Sequence, residues 1–197
     1  PYCHKRGDKI MAYNYQGYWK DVGTLSAYWE ANMELIDIIP EFNLYEEFWR
    51  IYTKTDVIPP QYFSADSKVK ACIVGDGTEV YGDISNSVIG AGVVIEEGAV
   101  VTNSIIMNNT VIKKGAKIEK SIIAERVEVG ENTELGVFEE AENKYKPNVY
   151  SGGLVTIGEG SVIPANVKIG KNVAIVGKTT AEDYPEGILA SGESIIR

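Results

Sequence analysis

Asn86-Ser87-Val88-Ile89, Asn103-Ser104-Ile105-Ile106 and Lys120-Ser121-Ile122-Ile123 write one phrase three times at an interval of 17 residues. Between the phrases the apolar anchors run Ile89, Ile95, Val101, Ile106, Ile112, Ile118, Ile123, Val129 and Leu135, in steps of 6, 6, 5, again 6, 6, 5, then 6, 6. A step near six is neither the 3.6 of a helix nor the 2 of a half-buried strand. It is the rhythm of a parallel β-helix, in which three short strands make one triangular coil and stacked coils share a core.

The interval also predicts what touches what. Residues 17 apart stack at the inter-strand spacing of roughly 4.8 Å. Ile89, Ile106 and Ile123 form one internal ladder, as do Ile95, Ile112 and Val129, and Val101, Ile118 and Leu135. Ser87, Ser104 and Ser121 make a column of small hydroxyls at a corner. The register resumes after a break at Ile157, Ile163, Ile169 and Ile175, and Val74, Val80 and Ile84 read as a shortened first coil.

Composition bounds the rest. The chain has 197 residues, 44% hydrophobic and 24% charged, enough for one core plus an appendage. No apolar run approaches the ~20 residues of a membrane span, and no signal peptide is visible. A net charge of −9 argues against a nucleic-acid footprint, which needs a basic face. The expectation is an acidic cytoplasmic protein with neither nucleic acid nor membrane as partner. Cys3 and Cys72 fit no metal or redox spacing, and a reduced compartment follows. The first residues read as a continuation, so the chain is expected to be a fragment of a longer protein.

Along the chain, residues 1–24 are aromatic and mixed and read as one or two strands ending in a turn at Val22-Gly23-Thr24. Residues 25–67 read as a helical and extended linker. An amphipathic helix starts at Thr24 or Ser26 with a hydroxyl N-cap and is ended by Pro40. A second short helix covers Phe42 to Arg50, and Ile51 to Ser67, with Pro59-Pro60, is extended. Residues 68–197 are the β-helix domain, its coils running from about Val69 to Val176. A loop insertion at 138–153 interrupts them, and Thr179 to Arg197 reads as a docked tail.

The most specific string is Gly17-Tyr18-Trp19-Lys20-Asp21-Val22-Gly23-Thr24. A carboxylate between a bulky strand end and a Gly-containing turn is placed to face a cleft. Asp21 could ligate a hard cation such as Mg2+, which is usually held by one or two carboxylates beside substrate phosphates. Magnesium offsets the charge that develops in nucleotidyl transfer. Equally, Asp21 could simply cap the turn or the helix.

That string, followed by Tyr28-Trp29-Glu30-Ala31-Asn32-Met33-Glu34-Leu35, resembles the end of the catalytic domain in the bacterial glucose-1-phosphate adenylyltransferase family. Pro59-Pro60-Gln61-Tyr62, Asn86-Ser87-Val88-Ile89-Gly90 and Val155-Thr156-Ile157-Gly158 resemble that family's connector and β-helix. The resemblance covers essentially the whole chain. It implies a left-handed hexapeptide β-helix preceded by the last strands of an α/β nucleotidyltransferase domain, with ATP and glucose 1-phosphate as substrates and ADP-glucose, for glycogen synthesis, as product. It makes Asp21 catalytic, as one of two aspartates that hold Mg2+. The second aspartate, the glycine-rich loop and the sugar-phosphate lysine would precede Pro1, so the fragment alone should be inactive. The intact Trp19-to-Thr24 string points to a catalytic rather than an inactive kind of subunit. A homo-oligomer, as a tetramer, is also implied.

Members of that family are allosteric, and basic residues hold phosphorylated metabolites between the two domains. Lys117, Lys120 and Arg126 are the candidates here. Lys113 and Lys114 are better explained by stacking under Glu96 and Glu97, because opposite charges on a sheet face contribute about 0.2–1 kcal/mol per pair without a ligand. In plant members, lysines after the third phrase and after the Val-Thr-x-Ile segment contact anions; Glu125 and Glu159 stand at the matching positions here. Two other enzymes share the fold. A mannose-1-phosphate guanylyltransferase combines the same modules, whereas coenzyme A acyltransferases usually need a coil histidine as base. His4 is the single histidine and precedes the coils. A non-catalytic assembly platform is compatible with the first assignment.

Overall fold

The computed structural model describes residues 1–52 and 57–197. Its body is a prism of parallel strands on three sides. Side one stacks Tyr62–Phe63, Glu79–Val80, Val94–Ile95, Val111–Ile112, Glu128–Val129 and Val162–Ile163. Side two carries Val100–Thr102, Lys117–Glu119, Glu134–Val137, Lys168–Gly170 and Ile188–Leu189. Side three carries Ile105–Ile106, Ser121–Ile123, Val155–Ile157, Val173–Val176 and Ser194–Ile196. The strand Asp83–Ile89 turns the corner between sides two and three and pairs on both.

All three internal ladders form in the register that the repeat predicts. Ile89 lies opposite Ile106 and Ile106 opposite Ile123. Ile95, Ile112 and Val129 stack on side one, and Val101, Ile118 and Leu135 on side two. These side chains are 1% exposed or less, which makes them the interior of the prism. The apolar step of six places one such anchor on each side of every triangle. The serine column also forms: Ser104 N–H donates to Ser87 Oγ at 3.1 Å, and Ser121 N–H to Ser104 Oγ at 3.0 Å.

Corners need a backbone that bends sharply, and each supplies a residue with positive φ. One column holds Asn86, Asn103 and Lys120; another holds Gly92, Asn109, Arg126 and Gly160; the third holds Gly98, Gly115, Asn132 and Asn166. Asn and Gly dominate because they tolerate the left-handed region at least cost.

Four expectations need correction. The coils begin earlier, since Tyr62–Phe63 pairs with Glu79–Val80, and they end later. Residues 179–197 are no tail: Ile188 and Leu189 pair with Lys168 and Ile169, and Ile195 with Ile175, closing a further coil. The expected strands within 1–24 are absent. A short helix, α1 (Tyr2–Arg6), is followed by irregular chain, because a strand needs a neighbouring strand to satisfy its backbone and none lies alongside. No helix forms over Phe42 to Arg50. Phe48 and Trp49 are 98% and 86% exposed there, and a short helix with no apolar surface to rest on is marginal. The expected connector also includes residues 53–56, which lie outside the described residues.

The first long helix forms as expected at its start. Helix α2 (Leu25–Glu34) is capped by Thr24, whose Oγ1 accepts from Ala27 N–H at 3.2 Å. It ends before Pro40, tightening into three-residue turns at Ile36 and Asp37. Among the described residues no helix is long and apolar enough to cross a membrane.

Candidate functional site

Asp21 is exposed and lies just ahead of Thr24, the cap of α2. Its Oδ1 accepts from Gly23 N–H at 2.8 Å, an aspartate turn that sets the carboxylate's direction. A Cβ on residue 23 would lie 2.9 Å from that oxygen, so the glycine makes room for the carboxylate. Turn capping therefore engages one oxygen. Among the described residues no group of three His, Cys, Asp or Glu could hold a metal ion. The donor set fits Mg2+ only as one carboxylate beside ligands from elsewhere, which is how that ion is usually bound next to phosphates.

The residues just before Asp21 are tied to the far end of α2. Lys20 Nζ bonds to the Glu34 carboxylate and lies 3.6 Å from Glu30. Tyr18 OH donates to the same Glu34 at 3.2 Å, and its ring stacks on Phe42 at 5.7 Å. The Lys20 hydrogen bond holds the Glu34 carboxyl below its ordinary range and, reciprocally, raises the Lys20 ammonium. Burial, and then the bond to Glu34, pushes the Tyr18 phenol up.

Helix α2 rests on side three of the prism. Leu25, Tyr28, Trp29 and Met33 pack against Ile105, Ile122 and Leu154, with Met107 alongside. Trp29 Nε1 donates to the Asn103 carbonyl at 2.7 Å, and Lys120 Nζ lies 5.4 Å from the centre of the Trp29 ring. The insertion, residues 138–153, leaves at the corner after side two. Its Asn148 and Val149 line a groove with Val22, Gly23, Thr24, Leu25 and Tyr28. The insertion is tied down at the other side too, where the buried Asn143 donates to the Asn172 carbonyl at 2.8 Å.

The three basic candidates do not converge. Lys117 lies on side two, 3.7 Å from Glu134, whose other oxygen is 3.5 Å from Lys168. Lys120 occupies the corner under Trp29. Arg126 occupies a different corner and pairs with Glu125 at 3.1 Å and with Glu159. Glu125 and Glu159 thus bracket one arginine. Lys113 and Lys114 sit in their stacked pairs, 3.4 Å from Glu96 and 3.6 Å from Glu97.

The landing place of α2 escaped the sequence reading, although a signal was present. Ile105-Ile106 and Ile122-Ile123 are doubled isoleucines in strands whose residues alternate in and out. One of each pair must face outward, and an outward isoleucine buried to 3–4% needs a cover. Trp29, four positions after Leu25 on the same helix face, supplies it.

Residues 59–157 match the family described as GlmU-like, C-terminal hexapeptide. The chain is 74% identical over all 197 residues to a glucose-1-phosphate adenylyltransferase of Lachnospira eligens, covering 47% of that protein. It is 43% identical over 197 residues to one from Acetivibrio thermocellus, covering 46%. Against that of Thermotoga maritima it is 54% identical over 187 residues, 95% of this chain and 44% of the relative. The chain thus spans about half the length of the curated relatives it matches, in their C-terminal part.

Proposed function

Because the chain belongs to the GlmU-like C-terminal hexapeptide family and matches glucose-1-phosphate adenylyltransferases over its whole length, we propose that it is the C-terminal part of such an enzyme. The reaction is adenylyl transfer. A phosphate oxygen of glucose 1-phosphate attacks the α-phosphorus of ATP, pyrophosphate leaves, and ADP-glucose forms. The observation that carries this proposal is the Gly17-to-Thr24 turn, with an exposed carboxylate aimed by Gly23 and backed by a helix docked on the prism.

In this scheme Asp21 contributes one carboxylate to the transfer site, and the remaining groups come from the half of the enzyme that this chain does not contain. Bound Mg2+ supplies charge neutralisation at the phosphates. The chain's own part is to hold the Asp21 oxygen at a fixed place. The prism serves as the scaffold on which that turn is mounted, and as a surface for assembly into an oligomer, taken here as a tetramer. A phosphorylated effector at the Lys120 corner is a second element of the proposal, favoured by that lysine's contact with the helix behind Asp21. Lys117 and Arg126 already have carboxylate partners, which makes them weaker anion sites.

Asp21→Asn in the full-length enzyme is the test. It keeps the turn hydrogen bond and removes the charge. Turnover should fall by about 10- to 100-fold or more, as when a metal site is disturbed, with unchanged thermal stability. Wild-type turnover would remove Asp21 from the site.

A further inference from the structure

We propose that Glu34 is a positioning residue for the transfer site: through Lys20 and Tyr18 it fixes the turn that presents Asp21. This inference rests on the role given to Asp21 above. A reacting or metal-binding group has to be held to within about 0.5 Å by its surroundings. The Gly23 hydrogen bond orients the carboxylate relative to its own turn but leaves the turn itself to be held. On the downstream side Thr24 fastens it to the first turn of α2. On the upstream side residues 8–17 of this chain have no regular structure, which leaves the approach to Asp21 to side-chain contacts.

Glu34 closes that gap. It is the last residue of α2, and it takes both the ammonium of Lys20, the residue adjoining Asp21, and the hydroxyl of Tyr18. Lys20 is well covered, with 22% of its side chain exposed, and Glu30 adds a second carboxylate at 3.6 Å. The helix beneath is itself immobilised by Trp29 and its apolar neighbours on side three. Asp21 is therefore gripped from before and after by one rigid element.

Magnitudes separate this role from a merely structural one. An ion pair in contact with solvent contributes little to folding, so losing it should barely move the melting temperature. Losing the alignment of a group at a metal or reaction site costs about 10- to 100-fold in affinity or activity.

The experiment uses the full-length enzyme with Glu34→Gln, Lys20→Met, the exchange Lys20→Glu/Glu34→Lys, and Asp21→Asn. Turnover, KM for glucose 1-phosphate, the Mg2+ concentration for half-maximal rate, melting temperature and deuterium uptake of the 17–24 peptide are measured. Both single variants should lower kcat and raise the Mg2+ requirement by about 10-fold, with KM and melting little changed. Uptake over 17–24 should rise, and the exchange variant should recover most of the lost rate. Unchanged kcat and Mg2+ requirement in both singles, with Asp21→Asn inactive, would overturn the positioning role alone. A lowered kcat with unchanged uptake would overturn it too, by pointing to direct substrate contact. Full activity in Asp21→Asn would instead remove the role on which the inference stands.

Discussion

Arg126 sits at a coil corner with φ 55°, in a column otherwise made of Gly77, Gly92, Asn109 and Gly160. An arginine held in the left-handed region costs about 1–2 kcal/mol relative to its preferred backbone. Its ion pairs with Glu125 and Glu159 are exposed, and pairs of that kind return about 0–1 kcal/mol each. The two effects nearly cancel, so the charge at this corner adds little to folding. Arg126→Asn tests that balance, because asparagine tolerates the same backbone, as Asn109 does one coil away. Its unfolding free energy should stay within about 1 kcal/mol of wild type in denaturant titration. A loss well beyond that would mean the ion pairs hold coils together, and a gain would show that the strain dominates. Lys120, with φ 46°, carries the same backbone cost but is matched to an aromatic face rather than to acids.

Helix α2 shows how unevenly its own sequence reveals it. Its start was legible because a hydroxyl cap is a local event, settled by Thr24 and the backbone of Ala27. Its end was not, because Pro40 marks only where a helix must stop, whereas α2 stops where its apolar neighbours on side three run out. Phe42 to Arg50 failed for the converse reason: Phe42 stacks on Tyr18, but Phe48 and Trp49 meet no apolar surface in this chain. The prism itself was legible almost residue by residue, since each ladder depends on spacing alone. Its last coil was missed because the spacing widens there, and Ile188 and Ile195 fall off the interval of 17. Asp21 was singled out by its string, but its clamp joins Lys20, in irregular chain, to Glu34 at the end of α2, 14 residues on, and no single periodicity spans the two. The docking of α2 gives a direct prediction. Trp29→Ala removes both the hydrogen bond to Asn103 and the cover over Ile105 and Ile122. Truncating a buried aromatic costs about 3–5 kcal/mol, and somewhat less for one only partly covered. Limited proteolysis should then cut within residues 17–34 while the prism stays intact. Cleavage no faster than wild type would show that the helix is held by something else.

A stack of coils shares one core along its length, so its ends are where water can enter. At the C-terminal end the closing element is Tyr184, 7% exposed and packed into the main apolar cluster. It follows a short 3-10 helix, Ala181–Asp183, which stands where the preceding coils carry their side-one strand. The helix is fixed by a reciprocal cap between Thr180 and Asp183, and Asp183 is paired with Arg197 from the last coil. Within this plug the Tyr184 hydroxyl meets Thr179 Oγ1 at 3.0 Å, and burial pushes the phenol up from 10.0 to about 12. The sign of the consequence follows from proton binding. Between pH 10 and about 12 the folded chain keeps a proton that the unfolded chain has lost, so stability falls as pH rises through that window. For a phenol displaced this far, the loss by the top of the window is on the order of 2–3 kcal/mol. Alkali acts on the rest of the chain as well, so the comparison has to be with a chain lacking only this phenol. Tyr184→Phe keeps the ring in the core and leaves Thr179 without its partner, costing about 1–3 kcal/mol near neutrality. Denaturant midpoints measured at about pH 9 and about pH 11.5 should therefore converge for the two proteins as pH rises, because only the wild type loses the buried neutral phenol. Parallel decline of both midpoints would mean that alkali opens the prism elsewhere, and that Tyr184 fills the end of the core without governing its response to base.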